Sequence, residues 1–321
     1  MNVQILINAN ARAIRYGRIP EKFFNRFISE RVTLRVTNSV EEIDDAVNDC
    51  WSADRELVLL ATGDGGLHRF LSSFIKIYNS RPADDGSFKP LPVFATFRSG
   101  TANLITGILG CHGEPLEAVR RLFARIKETP SIRELPRVRQ KLLEVSDGIQ
   151  KRFGFMAGSG VVYNFFLEYY KGSRYNVLKF LKIFLRAALS LFIGTGYINR
   201  LFTSMEARLR LDEKAQTLSR WKMLVVSAVD TRIVFFRAFK VGQLIDRIQI
   251  KAGNPSRLAI IRNIPNLLLN RPLKGRELLD RLVQRIHLER DAEFGYTIDG
   301  ELYNATRLFF APGPVVEFVR L

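Results

Sequence analysis

Two glycine-rich loops constrain this chain more than any other feature. Thr62-Gly63-Asp64-Gly65-Gly66 follows the apolar run 57–61, and Ser99-Gly100-Thr101-Ala102-Asn103 follows the apolar run 93–97. Each loop precedes a segment with helical patterning. Strand, glycine loop and helix is the order in which a backbone turns free N–H groups toward phosphate. Two such units on one parallel sheet can bring their loops together at its C-terminal edge, where open α/β sheets bind ligands. The spacing matches neither GxGxxG nor GxxxxGK[ST], so those two nucleotide signatures are absent.

The surrounding pattern supports that sheet. Strands are predicted over 3–7, 31–36, 57–61 and 92–97, and helices over 21–29, 40–51, 67–78 and 115–127. Their alternation predicts an α/β domain with a mostly parallel sheet covered by helices. Residues 128–136 carry Pro130 and Pro136 and mark a boundary, dividing the chain into 1–135 and 136–321. Strand-like runs then follow at 141–145, 153–156, 206–211, 222–229, 233–239, 245–250, 258–261, 284–288 and 307–310. Strands without alternating helices predict an antiparallel β-sandwich.

One segment interrupts the β pattern. Of the 17 residues in 177–193, 13 are apolar. The exceptions, Lys179, Lys182, Arg186 and Ser190, are spaced three and four apart and fall on one helical stripe. Lys171 and Tyr175 extend the stripe backward. Three cations in so short a segment argue against a membrane span. Two readings stay open: a helix packed on the sandwich with a basic solvent face, or an interfacial helix with its cations at headgroup level.

Gly63-Asp64-Gly65-Gly66, Gly100-Thr101-Ala102-Asn103 and, near the C-terminus, Asp299-Gly300-Glu301 together resemble the diacylglycerol kinase catalytic family, which includes sphingosine kinases and bacterial lipid kinases. That family carries a GGDGT-type loop, a later GT-x-N loop and a DGE, in this order. Asn8 follows the first strand where the family has its own Asn. The resemblance implies a two-domain plan with the active site in a cleft. It also implies ATP and Mg²⁺ as cofactors, and phosphorylation of a hydroxyl on a diacylglycerol-like or sphingoid lipid. The chain departs from the pattern at Thr62, where the family has glycine, at Gly66, where it has threonine, and at Leu104, where an acid often stands. These departures motivate a second reading, a diverged protein that binds nucleotide or lipid with little turnover. NAD kinase-like chemistry, which shares the GGDGT-type loop, is a third.

Phosphoryl transfer needs a held triphosphate, a divalent cation and an in-line hydroxyl. Asn8, Thr62, Gly63, Asp64, Gly65, Gly66, Ser99, Gly100, Thr101 and Asn103 are the candidate nucleotide residues. An acid beside phosphates is repulsive unless a cation intervenes, so Asp64 is the candidate Mg²⁺ contact. A turn-forming Asp64 is the structural alternative. The resemblance makes Asp299 the candidate general base, with Glu301 as its neighbour or a second metal contact; a hairpin turn is the alternative there. Lys179, Lys182 and Arg186 are the candidate lipid and membrane contacts.

A net charge of +17 favours phosphate-bearing partners, namely ATP and an anionic membrane surface. No DNA-binding motif appears, and no nucleic-acid partner is expected. Cys50 and Cys111 are the only cysteines and offer no metal-ligand spacing. The N-terminus enters a strand without a signal-peptide pattern, so the expected location is cytoplasmic with peripheral membrane association.

Overall fold

The computed structural model describes residues 1–83, 86–99, 104–111, 113–129, 131–172, 176–233, 236–242, 244–269 and 271–321. They form two compact units, Met1–Gln140 with Val315–Leu321, and Lys141–Pro314.

The first unit runs β1 (Val3–Asn8), α1 (Arg12–Arg15), α2 (Lys22–Asn25), β2 (Val32–Thr37), α3 (Val40–Ser52), β3 (Leu57–Ala61), α4 (Asp64–Ser80), β4 (Val93–Thr96), α5 (Leu104–Ile108) and α6 (Pro115–Glu128). Strands β4, β3, β1 and β2 lie side by side in that order, all parallel. Leu57 to Ala61 are completely buried, as expected of a central parallel strand covered on both faces. Local signals set the helix starts. Ser39 accepts the Glu42 amide at the head of α3, and Pro115 opens α6 without needing an N–H. The helix expected over 21–29 shrinks to the single turn of α2, where Phe23 and Phe24 pack into the core.

Both cysteines are buried, and burial pushes the Cys50 thiol up to about 12 and the Cys111 thiol up to about 11. Relative to an unperturbed cysteine, the thiolate population falls on the order of 10²–10³-fold. Iodoacetamide at mildly alkaline pH is therefore expected to label both cysteines in urea and neither in the native protein, as read by mass spectrometry.

The second unit begins within β5 (Arg137–Ser146), at Lys141, and continues through β6 (Lys151–Gly154), β7 (Met156–Gly160), α7 (Val161–Tyr170), α8 (Val177–Ile193), α9 (Gly196–Leu201), β8 (Met205–Glu206) and β9 (Arg208–Leu211). There follow β10 (Lys214–Ala215), β11 (Arg220–Trp221), β12 (Met223–Ser227), β13 (Thr231–Ile233), β14 (Phe236–Phe239), β15 (Ile248–Gly253), α10 (Arg257–Leu268), β16 (Leu278–Val283), β17 (Ile286–Ile298) and β18 (Glu301–Val319). The order β16-β15-β12-β7-β17-β18 is antiparallel throughout. Strand β17 pairs with β9 through its first half and with β7 through its last residues, so the sheet bends around one core that includes Leu143, Trp221, Tyr296 and Phe310. The ion pair of Lys251 with Asp280 is buried on this sheet; Asp280 also accepts from Gln249 Nε2 at 2.7 Å and from the Leu273 amide at 3.0 Å. These extra bonds supply what a buried ion pair needs to offset its desolvation.

In the second unit, one run differs from its sequence expectation and one helix had no expectation. The run 258–261, expected as a strand, lies inside helix α10, because Ser256 caps it by accepting the Ala259 amide. Residues 161–170, rich in aromatic and β-branched side chains, form α7 directly after Gly160. There φ is +67° and a Cβ would stand 2.3 Å from the Lys222 carbonyl oxygen, so the turn into α7 is made where only glycine fits.

Candidate functional site

In the first unit, the C-terminal ends of three adjacent strands carry a connected polar cluster. Asn8 ends β1, Thr62 follows β3, and Ser99 lies just beyond β4. Asn8 Nδ2 donates to Thr62 Oγ1 at 3.3 Å, and Asn8 Oδ1 accepts the Asn10 amide at 2.9 Å. Ser99 Oγ donates to the Thr62 carbonyl, while the Ser99 carbonyl accepts the Ala13 amide at 3.1 Å. Thr62 and Ser99 are buried, so these bonds fix the loops after β1, β3 and β4 to one another. Gly100, Thr101 and Asn103 lie outside the described residues.

Gly63 is extended and precedes α4, and no side chain caps that helix. Its first-turn amides and the positive end of its dipole therefore face outward from the strand ends, an arrangement suited to anionic oxygen. Asp64 is the first residue of the helix, followed by Gly65 and Gly66. Among the described residues, no group of three His, Cys, Asp or Glu side chains gathers to hold a metal. A cation here would rest on Asp64 together with ligand oxygens. His68 is buried one turn further along α4 and Arg98 is exposed.

The two departures at Thr62 and Gly66 are coupled in space. A Cβ on Gly66 would stand 1.9 Å from Thr62 Oγ1 and 2.9 Å from Asn8 Nδ2. The Thr62 side chain occupies the room that a side chain at position 66 would need. Gly66→Thr alone is expected to destabilise by about 1–3 kcal/mol through overpacking. Thr62→Gly/Gly66→Thr should recover most of that loss. A cycle of melting temperatures in which the two changes simply add would dissolve the coupling.

In the second unit, Asp299 and Gly300 form the two-residue turn between β17 and β18, with φ of +49° and +94° and Ile298 paired to Glu301. Positive φ at both central positions is the hairpin turn that Asp-Gly favours. The Asp299 carboxylate also has distant partners. It accepts the Phe155 amide at 2.9 Å on Oδ2 and the Met156 amide at 2.9 Å on Oδ1. Gly154 leaves room for it, since a Cβ there would stand 2.6 Å from Asp299 Oδ2. Glu301 begins β18 and is half-buried. Helix α7 abuts the turn: a Cβ on Gly300 would stand 3.3 Å from the Phe166 ring.

Nearby, Arg152 donates to Asp147 at 2.7 Å and to the Tyr296 hydroxyl at 3.2 Å. Burial works to raise the Asp147 carboxyl, but the Arg152 bond and the amides of Gln150 and Ile149 outweigh it and hold it below the usual range. Burial pushes the Tyr296 phenol up to about 12, so it stays a donor.

Helix α8 carries Lys179, Lys182 and Arg186 along one flank. Lys179 Nζ donates to the Lys171 carbonyl, and the Arg186 guanidinium lies 4.2 Å from the centre of the Tyr197 ring. Tyr175 lies outside the described residues. The outer face carries exposed leucines, Leu178, Leu181, Leu185 and Leu189, together with the exposed Lys182 and Arg186. Asn8's bond to Thr62, the amides that receive Asp299 and the exposed leucines were not signalled by any motif. Each depends on which residues meet in space.

No family model matches the chain, and no curated protein matches it. Solved structures do. A "putative diacylglycerol kinase" from Bacillus anthracis str. Sterne aligns over 99% of this chain and 96% of its own, with a TM-score of 0.67 at 12% identity. A diacylglycerol kinase from the same organism gives 0.61 at 11% identity over 99% of this chain and 96% of its own. A further "putative diacylglycerol kinase" from it gives 0.64 at 12% identity over 100% and 97%. At this identity the likeness is one of fold, and the chain has the two-domain fold of these structures, an α/β unit with a mostly parallel region and an antiparallel β unit.

Proposed function

We propose that this protein is an ATP-dependent lipid kinase that phosphorylates the hydroxyl of a diacylglycerol-like or sphingoid lipid. The observation that carries the reading is the Asn8–Thr62–Ser99 cluster beside the uncapped head of α4, in a chain whose fold is that of diacylglycerol kinase structures. The first unit binds the triphosphate, with Gly63, Gly65 and Gly66 letting main-chain amides approach its oxygens. Gly100, Thr101 and Asn103 complete the nucleotide contacts. Asp64 holds Mg²⁺, which when bound neutralises charge on the phosphates. The lipid hydroxyl oxygen bonds to the γ-phosphorus as the bond to the ADP oxygen breaks, and the hydroxyl proton passes to Asp299. Glu301 supports that carboxylate. Lys179, Lys182 and Arg186 face an anionic membrane, where a peripheral enzyme would meet its substrate.

Radiolabelled ATP with Mg²⁺ against a panel of diacylglycerols and sphingoid bases is the direct test. Label transferred to a lipid hydroxyl is the expected result; label found only in a soluble acceptor such as NAD would replace this reading.

A second reading, binding without turnover, draws on the Asp299 carboxylate being engaged by two main-chain amides. It requires ATP binding by calorimetry together with no transfer to any lipid of the panel.

A further inference from the structure

We infer that α8 is an interfacial membrane anchor whose leucine row enters the acyl layer of an anionic bilayer, with Lys182 and Arg186 at the headgroups beside it. The proposal extends the lipid kinase reading but does not depend on turnover. Leu178, Leu181, Leu185, Leu189, Phe192 and Ile193 are 39–75% exposed, although each is large and apolar. At 100° per residue they share one face of the helix, while Ile183, Ser190 and Leu191 on the other faces are buried. The row itself lines an open groove of 680 Å³, shared with Lys182, Arg186, Ser190, Thr195 and Tyr197. A contiguous apolar strip of this kind marks an interaction surface.

Charge decides which occupant fits. From Tyr169 to Met205 the chain contains no Asp or Glu, yet it carries Lys171, Arg174, Lys179, Lys182, Arg186 and Arg200. Glu168, just before this stretch, is neutralised by Lys171 at 2.8 Å. A face that is leucine along its crest and cationic along its flank matches acyl chains under anionic headgroups. A second copy of the chain would set these cations against one another. Among the described residues, no helix is long and apolar enough to cross a membrane, so α8 lies in the interface plane.

The structure also orders the two contributions. Arg186 rests on Tyr197 and Lys179 is tied to the Lys171 carbonyl, so their charges are held beside the row. The leucines have no such engagement on their exposed side and supply the larger part of the binding.

The test is sedimentation of the full chain, without nucleotide, with phosphatidylcholine vesicles that contain or lack phosphatidylglycerol. The parent is expected to bind both and to prefer the anionic ones. Leu185→Gln/Leu189→Gln should weaken binding to both by about 100-fold, on the scale of two lost apolar burials. Lys182→Gln/Arg186→Gln should weaken binding only to anionic vesicles, by about 10-fold. Melting curves confirm that each variant is folded; these side chains point outward, so little change is expected. If the leucine variant is folded and binds as the parent does, or if the parent binds neither vesicle, the inference is overturned. It is equally overturned if the parent is a dimer that the leucine variant dissociates, since a second copy then covers the face. A failed kinase assay would leave all these results readable.

Discussion

Asp299→Asn is expected to lower kcat by about 10²–10⁴-fold, the usual cost of losing a general base, while ATP and lipid still bind. The structure makes this substitution discriminating. Asn tolerates the left-handed backbone of the turn, where Asp299 has φ of +49°, so the hairpin survives. What changes is the carboxylate. Its Oδ1 accepts from Met156 and its Oδ2 from Phe155. An asparagine keeps one acceptor and turns an NH₂ toward the other amide, which costs about 1–3 kcal/mol. A stability loss is therefore expected on either reading, and only the rate separates them. If the acid limb of the pH–rate profile disappears and kcat falls, Asp299 takes the proton. If the melting temperature falls while kcat at saturation is unchanged, Asp299 serves only to join the turn to β6 and β7, and the reading without turnover gains ground.

Much of this architecture is legible in the sequence, and the reasons are local. Strand β3 matches its apolar run residue for residue, because a fully buried parallel strand announces itself by hydrophobicity alone. Helices α3 and α6 begin where Ser39 and Pro115 place them. Sequence pattern and structure part where tertiary context outweighs local preference. Residues 258–261 are a short apolar run that fits strand or helix equally, and the Ser256 cap decides between them. Helix α7 is built from residues of poor helix propensity, and its packing on β7 and β17 holds it. The return of Val315–Leu321 to the first unit leaves no break in the pattern, since β18 runs unbroken from Glu301 to Val319.

The candidate site divides along the same line. Its glycine loops and Asp-Gly turn are short motifs with fixed spacing, so they are visible in one dimension. The coupling of Thr62 to Gly66 is not. Read along the chain they are two separate departures from a loop pattern, whereas in space one side chain fills the volume that the other lacks. Likewise α8 reads as a cationic stripe in sequence, and only its burial shows the leucines on the outside. Periodicity says which residues share a face; it does not say which face meets the core.

Asp64→Asn carries the other large expectation: a fall in lipid phosphorylation of roughly 100-fold or more at low Mg²⁺, the scale of a lost charge stabilisation. Asp64 stands at the first position of α4, where its charge also favours the helix dipole by about 0.3–1 kcal/mol. Asparagine is nearly isosteric, so the loop and the neighbouring Gly66–Thr62 contact should persist and the melting temperature should change little. Activity and stability are thereby separated in one variant. A metal role further requires that raising Mg²⁺ restore part of the lost rate, because a weakened site fills at higher concentration. A helix-start role cannot respond to Mg²⁺ in that way. Full activity of Asp64→Asn at low Mg²⁺, with a slightly lower melting temperature, would make Asp64 a dipole partner of α4 and would remove the metal contact from the first unit.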